Sequence, residues 1–149
     1  MLNKQETSII TQAKNILQRE LSLNTSVLNN SSMAKDYAYL QFADSERELF
    51  GLLMLTNQHQ VIDLRVLFQG TIDGAAVYPR EVVKAVLESN AAAVIFIHNH
   101  PSGVAEPSQA DIAITSKLVE ALGTVEVRVI DHFVIGNTSV VSFADRGLI

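Results

Sequence analysis

The sequence predicts an α/β protein of the α+β kind, a mixed β-sheet flanked by helices. Three observations predict it. Apolar residues recur at helical spacing near the N-terminus (Ile9, Ile10, Ala13, Ile16, Leu17, Leu21) and again over residues 80–89 and 109–122. Ala91–Ile97 is a continuous apolar run with β-branched residues toward its end, as a strand covered on both faces requires. Leu49–Thr56 and Val61–Phe68 flank the short turn Asn57–Gln60, which reads as an antiparallel hairpin.

Taken in order, residues 5–21 form an amphipathic helix. Asn24–Ser32, rich in Asn, Ser and Thr, is a loop, and Met33–Phe42 is a second short helix. These make an N-terminal helical extension, residues 1–45, whose apolar stripe must bury against the domain's own core or against a partner. A homo-oligomer formed through these helices is the partner expectation. Residues 46–149 form the main domain. The polar joint Ala43–Arg47 leads to Glu48, which opens the first strand run. Gly70–Gly74 is a loop. Pro79 suits a first helical position, Arg80–Ser89 continues that helix, and Asn90 ends it. Ser108 caps a helix over Gln109–Leu122, closed by Gly123. Val125–Ile130, His132–Ile135 and Val140–Phe143 follow as three short strands. The order α-α-β-β-α-β-α-β-β-β is not a regular βαβ repeat.

With 149 residues, 48% of them hydrophobic and 18% charged, the chain has enough material for one well-formed core. The net charge of −5 disfavours strong nucleic-acid binding. The absence of cysteine excludes disulfides, thiolate metal sites and a cysteine nucleophile. No apolar run is long enough to span a bilayer, no signal-peptide core is present, and neither G-x-G-x-x-G nor G-x-x-x-x-G-K occurs. A cytoplasmic protein without membrane attachment is expected.

The reactive residues concentrate after the apolar run, in His98-Asn99-His100-Pro101-Ser102-Gly103 and Pro107-Ser108-Gln109-Ala110-Asp111. Side chains alternate along a strand, so His98 and His100 project to one side and Asn99 to the other. An acid in the first turn of the next helix can reach back toward the imidazoles. Two nitrogens and one carboxylate oxygen leave a position open, the composition of a catalytic zinc site. A blander reading stands beside it. H-x-H alone is a weak signal, and Ser108-x-x-Asp111 is also a capping box that needs no metal. His132, after Asp131, reads as a hydrogen-bonded strand histidine or a residue behind the site.

H-N-H-P-S-G followed by P-S-Q-A-D resembles the JAMM motif of JAB/MPN metalloproteases, and its details resemble the RadC branch of that superfamily. Phe68-Gln69-Gly70-Thr71, Tyr78-Pro79-Arg80-Glu81, Ser89-Asn90-Ala91-Ala92-Ala93 and Asp131-His132 extend the likeness over residues 47–149. The resemblance implies a JAB/MPN-like fold, one zinc ion per chain held by His98, His100 and Asp111, and Ser108 as the motif serine that helps stabilise the tetrahedral intermediate. It also implies an upstream glutamate as general base. Glu48 fits, with Glu46 as its rival in register. The implied chemistry is hydrolysis of a peptide or isopeptide bond in a protein or peptide substrate, with the glutamate working on a metal-activated water. The alternative is a catalytically silent interaction module in a DNA-repair or mobile-element setting. Typical RadC proteins carry a helix-hairpin-helix region upstream. The N-terminal extension shows no such hairpin, so a short, stand-alone form is expected, and DNA binding by that region is not transferred here.

Overall fold

A computed structural model of the chain describes residues 1–70 and 77–149. Its elements run α1 (Lys4–Leu23), α2 (Ser31–Phe42), β1 (Leu49–Leu55), β2 (Val61–Gln69), α3 (Pro79–Ser89), β3 (Ala93–Asn99), α4 (Gln109–Thr124), β4 (Arg128–Ile135) and β5 (Val140–Ser142). The five strands form one mixed sheet in the order β2-β1-β3-β4-β5. β3 pairs antiparallel with β1 and parallel with β4. The α+β class and the flanked mixed sheet are as the sequence predicts.

Local chemistry sets the helix ends. Asn3 and Glu6 form a capping box at α1, and the Asn30 side chain caps α2. Pro79 is the first residue of α3, and Asn90 closes that helix in the left-handed conformation at φ 54°.

Alternation along the strands divides the core in two. Phe50, Leu52 and Met54 of β1 join Val94 and Phe96 of β3 under α3 and α4, against Val82, Val86, Ile114, Leu118 and Leu122. Leu53, Leu55, Ala93, Ile95, Ile97 and Phe133 face the other way, against Leu21, Ala34, Tyr37, Ala38 and Phe42. The N-terminal helices thus pack against this side of the sheet. Gly51 belongs to this contact, since a Cβ there would lie 2.4 Å from Phe42 Cζ. Along α1 an outer apolar stripe, Leu2, Ile9, Ile16 and Leu23, stays exposed.

Several boundaries differ from the sequence reading. The strand expected over Ala91–Ile97 runs Ala93–Asn99, so it carries His98 itself. Two of the three C-terminal strands are one, β4, continuous through Asp131. A register shift at its pairing with β3 absorbs one residue, and the Asp131 carboxylate is satisfied by His132 N–H, Ala144 N–H and the Ser142 hydroxyl, so a buried acid does not break the strand. Gly123 does not close α4. The helix continues to Thr124, and the left-handed turn falls on Glu126 at φ 60°. The loop predicted from Gly70 to Gly74 lies, beyond Gly70, outside the described residues. No helix among the described residues is long and apolar enough to cross a membrane.

Candidate metal centre

The sheet register brings the reactive side chains together. Phe50 of β1 lies opposite His98 of β3. Glu48, two residues before Phe50, therefore falls on the same side of the sheet as His98, by the period of two. That is the α4 side, because Val94, Phe96 and His98 share one parity. His100 continues the line, its N–H bonded to Ile135 O at 2.9 Å. The chain then turns away. Gly103 N–H bonds back to His100 O at 2.9 Å, and Gly103 holds φ 90°, a conformation that favours glycine. Gly136 lets this turn pass close to β4, since a Cβ there would lie 2.6 Å from Gly103 O.

Asp111 enters from the first turn of α4. Both halves of the Ser108–Asp111 capping box form, with Asp111 N–H donating to Ser108 Oγ at 3.1 Å and Ser108 N–H to Asp111 Oδ2 at 2.8 Å. The cap and the cluster are thus the same structure. It fixes the carboxylate so that Oδ2 lies 3.0 Å from His100 Nε2 and Oδ1 3.2 Å from His98 Nε2. The two imidazole Nε2 atoms are 2.9 Å apart. Ligand atoms of Glu48, His98 and His100 lie within 4.8 Å of one another, so a second carboxylate approaches the same imidazole pair. Glu48 is half-buried, whereas its rival Glu46 is exposed. Ser108 is also exposed. Its oxygen accepts from Asp111, and its own proton remains to be given elsewhere.

The donor set fits a divalent cation. His100 Nδ1 is 2.8 Å from Val104 O, a group that can only accept, so Nδ1 carries the proton and Nε2 presents a lone pair in neutral His100. Asp111 is 1% exposed, and its Oδ1 is fully buried without a hydrogen bond. Atoms sharing one zinc ion at about 2.0–2.1 Å in tetrahedral geometry sit about 3.3 Å apart, close to the separations found here. Electrostatics point the same way. Burial works to raise the Asp111 pKa, but the adjoining imidazoles of His100 and His98 and the Ser108 N–H hold its carboxyl far below the usual carboxylate range. The bond to Asp111 raises the His100 pKa against the opposing effect of burial. The cluster attracts positive charge, whether a proton or a metal.

Asn99 points to the opposite side, as alternation requires, and braces the start of β1. Its Oδ1 accepts from Leu49 N–H at 2.7 Å, and its Nδ2 donates to Arg47 O at 3.0 Å. Glu48 is therefore clamped at the main chain on both sides. His132 is fully buried behind His98, Nε2 to Nδ1 at 2.7 Å, and burial pushes its pKa well down. Thr115 completes this layer at 2.6 Å from His132 Nδ1. Sequence reasoning overlooked Thr115, and its only signal is its position one helical turn after Asp111. Arg80, Glu81 and Ser102 are exposed, and Glu106 forms a surface ion pair with Arg146 at 2.7 Å.

A family model of the RadC-like JAB domain matches residues 28–148. Among curated relatives, a UPF0758 protein of Shewanella denitrificans is 53% identical over 131 residues, covering 88% of this chain and 58% of its own length. A UPF0758 protein of Marinomonas sp. is 52% identical over 142 residues, 95% of this chain and 63% of the relative. One from Vibrio cholerae is 60% identical over 122 residues, 82% of this chain and 54% of the relative. The chain thus spans little more than half the length of these relatives.

Proposed function

Because the chain belongs to the RadC-like JAB-domain family, we propose that it is a zinc-dependent hydrolase of peptide or isopeptide bonds in a protein substrate. One observation carries this reading, the convergence of Glu48, His98, His100 and Asp111 from three separate segments of the chain. His98, His100 and Asp111 would hold one divalent ion. When bound, it would polarise the scissile carbonyl and activate a water. Zinc suits two imidazoles, one carboxylate and an open position. Glu48, fixed through its main chain by Asn99, would take a proton from the attacking water and deliver it to the leaving amine. Water is then added across the C–N bond, its oxygen to the carbonyl carbon and a proton to nitrogen. The exposed hydroxyl of Ser108 would donate to the carbonyl oxygen as negative charge develops there.

The reading is tested first by metal content. The purified wild-type protein is expected to hold one zinc per chain, and the His98→Ala, His100→Ala double variant to hold none. Stoichiometric zinc that persists in the double variant overturns the site. Glu48→Gln is expected to keep its zinc and to lose about a hundred- to ten-thousand-fold in hydrolysis of a fluorogenic peptide library. Full biological activity retained by Glu48→Gln would favour a binding module over an enzyme.

A further inference from the structure

We propose that His132 and Thr115 are positioning residues that fix the tautomer and ring orientation of His98, through a hydrogen-bond relay that runs from His98 Nδ1 to the Asp111 main-chain carbonyl. The inference rests on the metal reading above and concerns how this chain prepares its first imidazole.

The direction of the relay follows from counting protons. Thr115 Oγ1 has one proton and two close neighbours, Asp111 main-chain O and His132 Nδ1, each at 2.6 Å. The carbonyl oxygen can only accept, so the hydroxyl proton goes to it. Thr115 Oγ1 then accepts, and His132 Nδ1 carries a proton. His132 has 0% exposure and packs against Phe50, Phe96 and Phe143, with the Phe143 ring stacked at 4.5 Å. A neutral imidazole has a single N–H, and that of His132 is spent on Thr115, so its Nε2 is a bare acceptor. His98 Nδ1, 2.7 Å away, must be the donor. The His98 proton is thereby held on the inner side, and Nε2 faces Asp111 and His100 with its lone pair. The alternative polarity, with Thr115 donating to His132, would leave two oxygens in contact at 2.6 Å with no proton between them.

The two histidines are prepared by different means. His100 takes its tautomer from a loop carbonyl, Val104 O, and its side chain is 14% exposed. His98 is wholly buried, and among the described residues the partner of its Nδ1 is His132 of β4. Asp111 stands at both ends of this arrangement: its carbonyl is the relay's last acceptor, while its carboxylate faces His98 Nε2 at 3.2 Å. A shift of α4 that moved the carboxylate would therefore disturb the tautomer of His98 as well.

The test uses two substitution pairs and two readouts. Zinc affinity is measured by competition with a chromophoric chelator, and the ring protons of the metal-free protein by long-range proton–nitrogen NMR. Thr115→Val, which keeps the shape and removes the hydroxyl, is expected to weaken zinc binding about tenfold, and Thr115→Ser to restore it. His132→Phe is expected to weaken it up to about a hundredfold, and His132→Gln, whose Oε1 can accept from His98, to recover most of the loss. The spectrum of the wild type is expected to show His98 protonated at Nδ1. Equal zinc affinity in Thr115→Val and Thr115→Ser, or His98 protonated at Nε2, overturns the relay. Wild-type protein that binds no zinc but shows His98 protonated at Nδ1 overturns the metal reading and leaves the relay standing. If His132→Phe fails to fold, the Thr115 pair and the spectrum still decide.

Discussion

Along the α1/α2 side of β3, Ala93, Ile95 and Ile97 run into Asn99, and along the α3/α4 side Val94 and Phe96 run into His98. Both sides bury large apolar side chains, and both strand faces end on a buried polar residue. They differ in what those residues meet. Asn99 finds main-chain groups, Leu49 N–H and Arg47 O, and is satisfied by them. His98 meets His132 on its inner side and, on its outer side, His100 and Asp111, whose lone pairs call for a cation. One side therefore holds the strands in place, and the other is left with an electrostatic demand that folding alone does not meet. A buried polar group costs little once its partners are complete, and it becomes a site when they are not.

Separate effects on the two sides follow. The largest is expected from Phe42→Ala, which empties a fully buried position on the α1/α2 side. Urea unfolding should show a loss of about 3–5 kcal/mol, and folded variant should still hold zinc. Gly51→Ala drives a methyl against the Phe42 ring and should cost about 1–3 kcal/mol by overpacking, again without loss of metal. Paired with Phe42→Ala, which removes the obstructing ring, its cost should shrink, as a double-mutant cycle would show. Asn99→Ala leaves Leu49 N–H without its acceptor and should cost about 1–3 kcal/mol. It should also lower hydrolysis while zinc content stays constant, because the Asn99 side chain braces the main chain on either side of Glu48 and, among the described residues, bonds to none of His98, His100 and Asp111. Loss of zinc in Asn99→Ala would show that the two sides are not independent. Arg146→Ala, which removes the exposed pair with Glu106, should change stability by less than about 1 kcal/mol.

Much of the candidate site was legible before the fold was known, because its parts are short-range. His98 and His100 share a side by the period of a strand, and Asp111 follows Ser108 at the spacing of a helix cap. Each rule acts over a few residues. The adjacency of Glu48 was legible only as a requirement, since nothing within a few residues of Glu48 points to a partner fifty positions away. Pairing of β1 with β3 meets that requirement. Element types were mostly readable from periodicity, and the errors fell where tertiary contacts outweigh local signals. Asp131 looked like a strand break until Ser142, Ala144 and the His132 amide were seen to satisfy it. Gly123 looked like a helix stop, yet the left-handed turn falls at Glu126.

By itself, then, the sequence determined the helix caps, the strand-parity of the two histidines and the kind of atoms that gather after β3, since all of these follow from backbone periodicity and side-chain chemistry. Only the tertiary structure decided that Glu48 rather than Glu46 joins them, that Asn99 braces β1, and that Thr115 and His132 stand behind His98. Those contacts join residues 17 to 52 positions apart, and sheet register and the docking of α4 set them, which no local pattern encodes.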